Sequence, residues 1–91
     1  MKITYSKNIA WQEFFGTVHI FNEISHEAFI LNDLAKEFWL LISKSNDFDE
    51  ICYMLSKNFS TISFEQVKSD FNEFMVDLIH NDLLHTVEDE L

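Results

Sequence analysis

The sequence predicts an α+β domain in which a three-stranded antiparallel sheet comes first and three α-helices follow. Three observations support this prediction. Up to Leu31 the apolar residues follow a period of about two, and from Asn32 onward the period changes to about 3.6. The single glycine lies where a hairpin needs it. A length of 91 residues with 47 % apolar residues suits one domain around one core.

The only glycine, Gly16, lies between two segments rich in β-formers, residues 9–14 and 17–21. A tight reversal through Phe15 and Gly16 needs a residue that tolerates a positive φ angle. We therefore expect a hairpin here. After a polar loop, residues 27–31 read as a third strand, which completes an antiparallel meander.

Helix start signals mark the rest of the chain. Asn32 or Asp33 can cap the first helix, and Asp47 opens an acid-rich start to the second. Ser63, with Gln66 three residues later, forms a capping box for the third helix. The apolar stripe of this third helix consists of Phe64, Val67, Phe71, Phe74, Met75, Leu78 and Ile79. It covers an arc of roughly 140°, so we expect one edge of the stripe to stay partly free for a ligand.

The charge balance restricts the partners. Sixteen acidic and six basic residues give a formal net charge of −10, which repels phosphate backbones and attracts cationic segments. We therefore expect no nucleic-acid partner. The single cysteine, Cys52, cannot form an internal disulfide, and no signal-peptide pattern opens the chain, so a cytoplasmic location is expected. The apolar runs are far shorter than a membrane span requires. Residues 88–91 are predicted to be a frayed acidic tail.

The sequence offers no constellation for catalysis or for a cofactor. The four histidines lack the spacing of metal ligands, and Cys52 reads as a small buried apolar residue. The acidic residues are scattered, with no pair set against an apolar pocket for acid–base chemistry. One glycine is too few for a phosphate-binding loop. We therefore expect no catalytic residue, no metal and no cofactor.

An ordered set of short motifs resembles the PqqD-like family, the leader-recognition domains of ribosomally made, post-translationally modified peptides. The motifs are Trp11 with Phe14-Phe15-Gly16, Leu31-Asn32, Phe38-Trp39, the acidic start 47–50, and Asp70-Phe71 followed by Phe74 and Leu78. Two positions depart from the family pattern: Ser45-Asn46 after the first helix, and Asn81-Asp82 before the final leucine pair. Asn tolerates left-handed conformations, so these departures are compatible with the fold.

The resemblance implies a winged-helix-like fold and a single leader-recognition domain over residues 1–91. It also implies that a precursor peptide binds between the third strand and the third helix. A separate modifying enzyme, such as a protease, a radical-SAM enzyme or another maturase, would then receive the peptide. The chain itself would be an adaptor and not an enzyme.

The residues themselves point to a compatible mechanism. The third strand lacks the Pro or Lys that usually protects a sheet edge, so a peptide can add to it as a further strand. The residues expected to line this site are Glu27, Phe29, Ile30 and Leu31 on the strand, and Lys68, Phe71, Asn72 and Met75 on the helix, with Asp70 taken from the family motif. We place Met75 at the open edge of the stripe, since its flexible side chain suits an adaptable groove. The same strand edge could support a homodimer.

Two other functions compete with peptide binding. The last two helices could form the helix-turn-helix of a winged-helix transcription factor, but the third helix is acidic where phosphate contact requires basic residues. The chain could also be an acidic interaction module or DNA mimic that binds a basic regulator.

Overall fold

The computed structural model describes residues 1–58 and 62–87. Within this part of the chain the strands are β1 (Lys2–Tyr5), β2 (Ile9–Phe14), β3 (Thr17–Asn22), β4 (Ala28–Leu31) and β5 (Leu84–Val87), and the helices are α1 (Asp33–Leu41), α2 (Phe48–Asn58) and α3 (Phe64–His80). Strands β2, β3 and β4 form one antiparallel sheet in that order, and β1 pairs with β5 in a second, two-stranded sheet. The predicted three-stranded sheet and three helices are confirmed.

The β2–β3 hairpin turns where the glycine predicts. Phe15 and Gly16 have φ angles of 51° and 80°, which is the pattern of a two-residue type I′ turn. Thr17 pairs with Phe14 directly across the turn. The third predicted strand is β4, which begins one residue later than expected, at Ala28.

The β1–β5 pair was not predicted. Each of these strands has four residues, and they come from opposite ends of the chain. Ile3 in β1 and Leu84 in β5 are fully buried, and Leu83 packs into the core beside them. Local periodicity cannot identify such short strands, because their pairing joins residues about 80 positions apart. The predicted acidic tail, residues 88–91, lies outside the described part of the chain.

The helix starts follow the predicted capping signals in two of three cases. Asp47 Oδ1 accepts hydrogen bonds from the backbone N–H groups of Asp49 (2.9 Å) and Glu50 (3.2 Å). Ser63 Oγ accepts from the N–H of Gln66 at 3.2 Å. Asn32 stands at the N-cap of α1, but its side chain makes no capping hydrogen bond.

The core is built on aromatic side chains. Phe38, Trp39 and Phe48 are fully buried between the helices and the inner face of the three-stranded sheet. The Tyr5 hydroxyl donates to the backbone carbonyl of Trp39 at 2.6 Å, and Cys52 is buried as a small apolar residue, as predicted. Within residues 1–58 and 62–87, no helix is both long and apolar enough to cross a membrane.

Candidate functional site: a groove between strand β4 and helix α3

Strand β4 is an edge strand in the described part of the chain. It pairs with β3 on one side and with no strand on the other. Its four residues, Ala28–Leu31, include no proline and no charged side chain. Edges without such protection are available to pair with another extended chain.

The hydrogen-bond pattern of the sheet identifies which backbone groups of β4 face outward. The Asn22 N–H donates to the Glu27 carbonyl at 2.9 Å, which makes this pair a hydrogen-bonded one. Bonded and non-bonded pairs alternate along an antiparallel ladder, so Phe29 and Leu31 bond to β3. The N–H and C=O groups of Ala28 and Ile30 therefore point away from β3, toward the open edge.

The tight turn of the preceding hairpin gives the same result. Phe14 and Thr17 flank a two-residue turn and so form a hydrogen-bonded pair. Because bonded pairs recur at every second residue, the backbone groups of His19 and Phe21 also point toward β2. The residues between them, Val18 and Ile20, then bond to β4. Their β4 partners are Leu31 and Phe29, which again leaves the intervening residues of β4 to the open edge.

Two contacts constrain how α3 is placed relative to this edge. Lys68 forms an ion pair with Asp49 of α2 at 3.0 Å, so the side of α3 that carries Lys68 faces α2. At the C-terminal end of α3, the Asn22 side-chain N–H donates to the Asn81 carbonyl at 3.1 Å. Because Asn22 ends β3 next to the start of β4, the C-terminal end of α3 lies near the start of β4, and we infer that the side of α3 away from Lys68 faces this strand.

The side of α3 that faces β4 follows from helical geometry. Residues spaced by four, seven and eleven positions lie along one line on a helix surface. Counting back from Asn81, that line contains Asp77, Phe74 and Asp70. Phe74 is half-buried and both aspartates are exposed, so this edge offers one aromatic ring between two carboxylates.

Aromatic packing holds the helix in this position. Phe71 stacks on Phe38 of α1 with ring centroids 5.1 Å apart, and Phe74 meets both rings edge to face at 5.7 and 5.8 Å. Phe71 is 9 % exposed and belongs to the core. The half-buried Phe74 is the member of this cluster that still offers surface.

The predicted strand residues occupy different faces of β4. Phe29 and Leu31 point inward toward the helices, where Phe29 is half-buried and Leu31 is buried. Ile30 points to the opposite, outer face and is 63 % exposed. Glu27 is exposed and precedes the strand. The structure therefore brings Phe29 and Leu31 to the helix side of the edge, while Ile30 contributes its backbone groups there.

The predicted helix residues do not form one set. The placement of Met75 at an open edge is wrong, because its side chain is 2 % exposed and packs in the core. Lys68 and Asn72 are exposed, and Lys68 pairs with Asp49 of α2. Asn72 lies one turn further along the same side of the helix, away from the side that we infer faces β4. Asp70 lies on the β4 side, where it accepts a hydrogen bond from Gln66 Nε2 at 2.8 Å.

Sequence reasoning missed Phe74 and Asp77 as groove residues. The stripe has half-buried residues at both edges, Phe74 on one side and Ile79 on the other. Their pattern alone does not say which edge faces β4. The acidic character of one edge, with Asp70 and Asp77 around Phe74, was the available signal.

The described residues contain no site for a metal. In this part of the chain no group of three or more His, Cys, Asp or Glu side chains is placed to hold an ion. The groove offers unpaired backbone groups, an aromatic surface and carboxylates. Such a combination can bind an extended peptide with a cationic residue.

Comparison with solved structures supports the fold. A structure described as "TbiB1 in Complex with the TbiA(beta) Leader Peptide" aligns with a TM-score of 0.85 at 20 % identity, covering 98 % of this chain and all of that one. No curated protein matches the sequence. The family model for coenzyme PQQ synthesis protein D (PqqD) matches residues 18–84, which include β4, all three helices and the groove between them. The chain therefore belongs to the PqqD family.

Proposed function

We propose that this protein binds the leader region of a ribosomally synthesised precursor peptide, which pairs with the open edge of β4 beside α3. The observation that carries the proposal is the open β4 edge, with the N–H and C=O groups of Ala28 and Ile30 directed outward. A structurally similar protein, TbiB1, is described in complex with a leader peptide, which supports this assignment. The domain over residues 1–91 acts as one recognition unit in the cytoplasm.

The peptide gains affinity and selectivity from different parts of the groove. Backbone hydrogen bonds to Ala28 and Ile30 hold an extended strand of any sequence. An apolar side chain of the peptide packs between Phe29 and Phe74. Asp70 and Asp77 then favour a leader with Lys or Arg beside that apolar residue. The charge of Lys68 does not oppose this attraction, because it faces α2 and is paired with Asp49.

The role is binding and not catalysis. Nothing in the groove resembles a nucleophile with an adjacent base, and the groove residues bind without a reacting group. A separate modifying enzyme acts on the peptide that this protein holds. Incubating the leader with the protein alone should therefore return a peptide of unchanged mass.

The β4 edge can be tested with two proline substitutions at neighbouring positions. Ile30→Pro removes an N–H that points to the open edge, and proline is tolerated at such positions of edge strands. We expect this variant to fold and to lose affinity for a precursor leader that the unmodified protein binds. Phe29→Pro removes an N–H that bonds to β3, so we expect it to destabilise the domain itself. Calorimetric titration and thermal melts measure the two effects separately.

The complementary test modifies the peptide. N-methylation blocks one backbone N–H at a time, and only alternate residues of an added strand bond to the edge. Affinity should therefore fall at every second position of one short segment and stay unchanged between them. Uniform tolerance of N-methylation, together with normal binding by Ile30→Pro, would show that the peptide does not pair with β4.

A further inference from the structure

The outer face of the three-stranded sheet is apolar and uncharged in a strongly acidic chain. Eight side chains alternate outward from the three strands: Ala10, Gln12, Phe14, Thr17, His19, Phe21, Ala28 and Ile30. None of them is Asp, Glu, Lys or Arg, although these four residue types make up 24 % of the chain. Phe14, Phe21 and Ile30 are among its exposed large apolar residues. We call these eight residues the outer face.

The outer face has a depression at its centre and a hydrogen bond between two of its polar side chains. Its centre is a shallow depression of about 340 Å³, with Phe21 and Ile30 among its walls. Thr17 donates its hydroxyl hydrogen to the Phe14 carbonyl at 2.8 Å, so its oxygen is left to accept from His19 Nε2 at 2.8 Å. Thr17 and His19 therefore bond to each other on this face.

The hairpin turn extends the outer face with Phe15, a residue that is unfavourable for the backbone conformation of the turn. Phe15 is 90 % exposed, and its ring meets that of Phe14 edge to face at 4.4 Å. Its φ angle of 51° lies in the left-handed region, where Asn and Gly are tolerated and bulky residues are strained. A solvated turn would favour Asn before Gly16. An aromatic ring held in this position at a cost in stability indicates that it contacts something outside the chain.

From these features we infer that the outer face, with Phe15, is the docking surface for the modifying enzyme that receives the peptide. This inference rests on the proposed function, and continuity of the sheet supports it. Ala28 and Ile30 give their backbone groups to the open edge and their side chains to the outer face. A leader strand paired with β4 would extend the same face by one strand, so an enzyme on that face would contact adaptor and leader together.

Charge distinguishes this occupant from a second copy of the chain. Two copies would each bring a net charge of −10, and Glu23 and Glu27 are exposed beside the face. Such like-charged surfaces repel one another, so a face-to-face or edge-to-edge homodimer is disfavoured. The complementary surface is apolar with a basic rim.

The decisive variant is Phe15→Asn, because it should change stability and docking in opposite directions. Asn-Gly is the preferred sequence of a type I′ turn, so the midpoint of thermal unfolding should rise. Affinity for the purified modifying enzyme, measured with leader bound, should fall by about ten-fold or more, as loss of an aromatic hot-spot contact does. Leader affinity should not change. Ile24→Asn is the matched control, since Ile24 is an exposed apolar loop residue outside this face.

The outcomes separate this inference from the proposed function. If the unmodified protein binds the enzyme and Phe15→Asn binds it equally well, the docking surface is elsewhere. If the unmodified protein fails to bind leader, the proposed function fails first. Concentration-dependent dimerisation that Phe15→Asn abolishes would assign the face to a second copy. Phe15-dependent binding to phosphatidylcholine vesicles would assign it to a membrane. Either result would overturn the inference.

Discussion

The neighbouring residues Met75 and Val76 allow a direct test of which side of α3 is buried. Met75 is 2 % exposed and Val76 is 52 % exposed. Replacing each with Asp introduces the same charge one residue apart on the same helix. Asp is too short to reach solvent from a buried position, unlike the long side chain of Lys. The two variants therefore differ mainly in burial.

The expected difference is large. Met75→Asp loses about 1.5–3 kcal/mol of apolar burial, and an unpaired buried carboxylate costs several kcal/mol more. A domain of this size has a free energy of unfolding of about 5–14 kcal/mol, so Met75→Asp should remove most of it. Val76→Asp should change stability by about 0.5–1 kcal/mol, as surface substitutions near a helix end do.

Urea denaturation followed by circular dichroism measures both variants. We expect Met75→Asp to be largely unfolded or to melt at least about 20 °C lower, while Val76→Asp melts near the parent protein. Acidification should recover part of the stability of Met75→Asp, because burial raises the pKa of the new carboxyl and protonation removes the charge. Equal melting of the two variants would contradict the described orientation of α3.

Three further predictions concern single groups. Asn22→Ala should lower the free energy of unfolding by about 1–3 kcal/mol, because it removes the hydrogen bond to Asn81 and two hydrogen bonds that hold the following loop. Asn32→Ala is the control, since it removes no capping hydrogen bond and should have a smaller effect. Urea denaturation measures both variants. Burial raises the pKa of Tyr5 to about 12, with Ser43 acting in the opposite sense, so the unfolded chain ionises first. Stability should therefore fall as pH rises from about 10, the pKa of an unperturbed Tyr. The slope should be smaller in Tyr5→Phe, where the raised pKa of Cys52 still contributes; an unchanged slope would refute this. Burial raises the pKa of Cys52 to about 11, with a smaller contribution from the Asp49 carboxylate. Iodoacetamide should therefore label Cys52 at pH 8 only after urea unfolds the chain. Rapid labelling of the folded protein would be inconsistent with the burial of this residue.

Local signals in the sequence were enough for most of the fold. The β2–β3 turn depends on Gly16 and its immediate neighbours, and the start of α3 depends on Ser63 and Gln66. These signals act over two to four residues, so a single sequence displays them. The pairing of β1 with β5 has no such signal, because neither strand specifies its partner locally.

The groove was harder to predict, because tertiary contacts decide which edge of α3 faces the sheet. The pair Lys68–Asp49 and the bond from Asn22 to Asn81 fix that choice, and neither follows from the periodicity of α3. The burial of Met75 is different. At 100° per residue, Met75 lies between Phe71 and Ile79 inside the stripe. The helical wheel therefore assigns Met75 to the core.

Strand β4 can serve two partners because backbone and side chain point to different places. The backbone of Ile30 faces the open edge, while its side chain lies on the outer face and is exposed. Ile30→Ala keeps the N–H and C=O groups, so leader affinity should stay close to that of the parent protein. It shortens a side chain of the outer face, so docking of the enzyme should weaken. Ile30→Pro removes the edge N–H and retains an apolar side chain, so it should lose leader affinity, while docking of the enzyme measured without leader should stay close to that of the parent protein. The contrary result is that both variants impair leader binding and enzyme docking equally while their thermal melts stay unchanged. The leader and the enzyme would then bind to one shared surface.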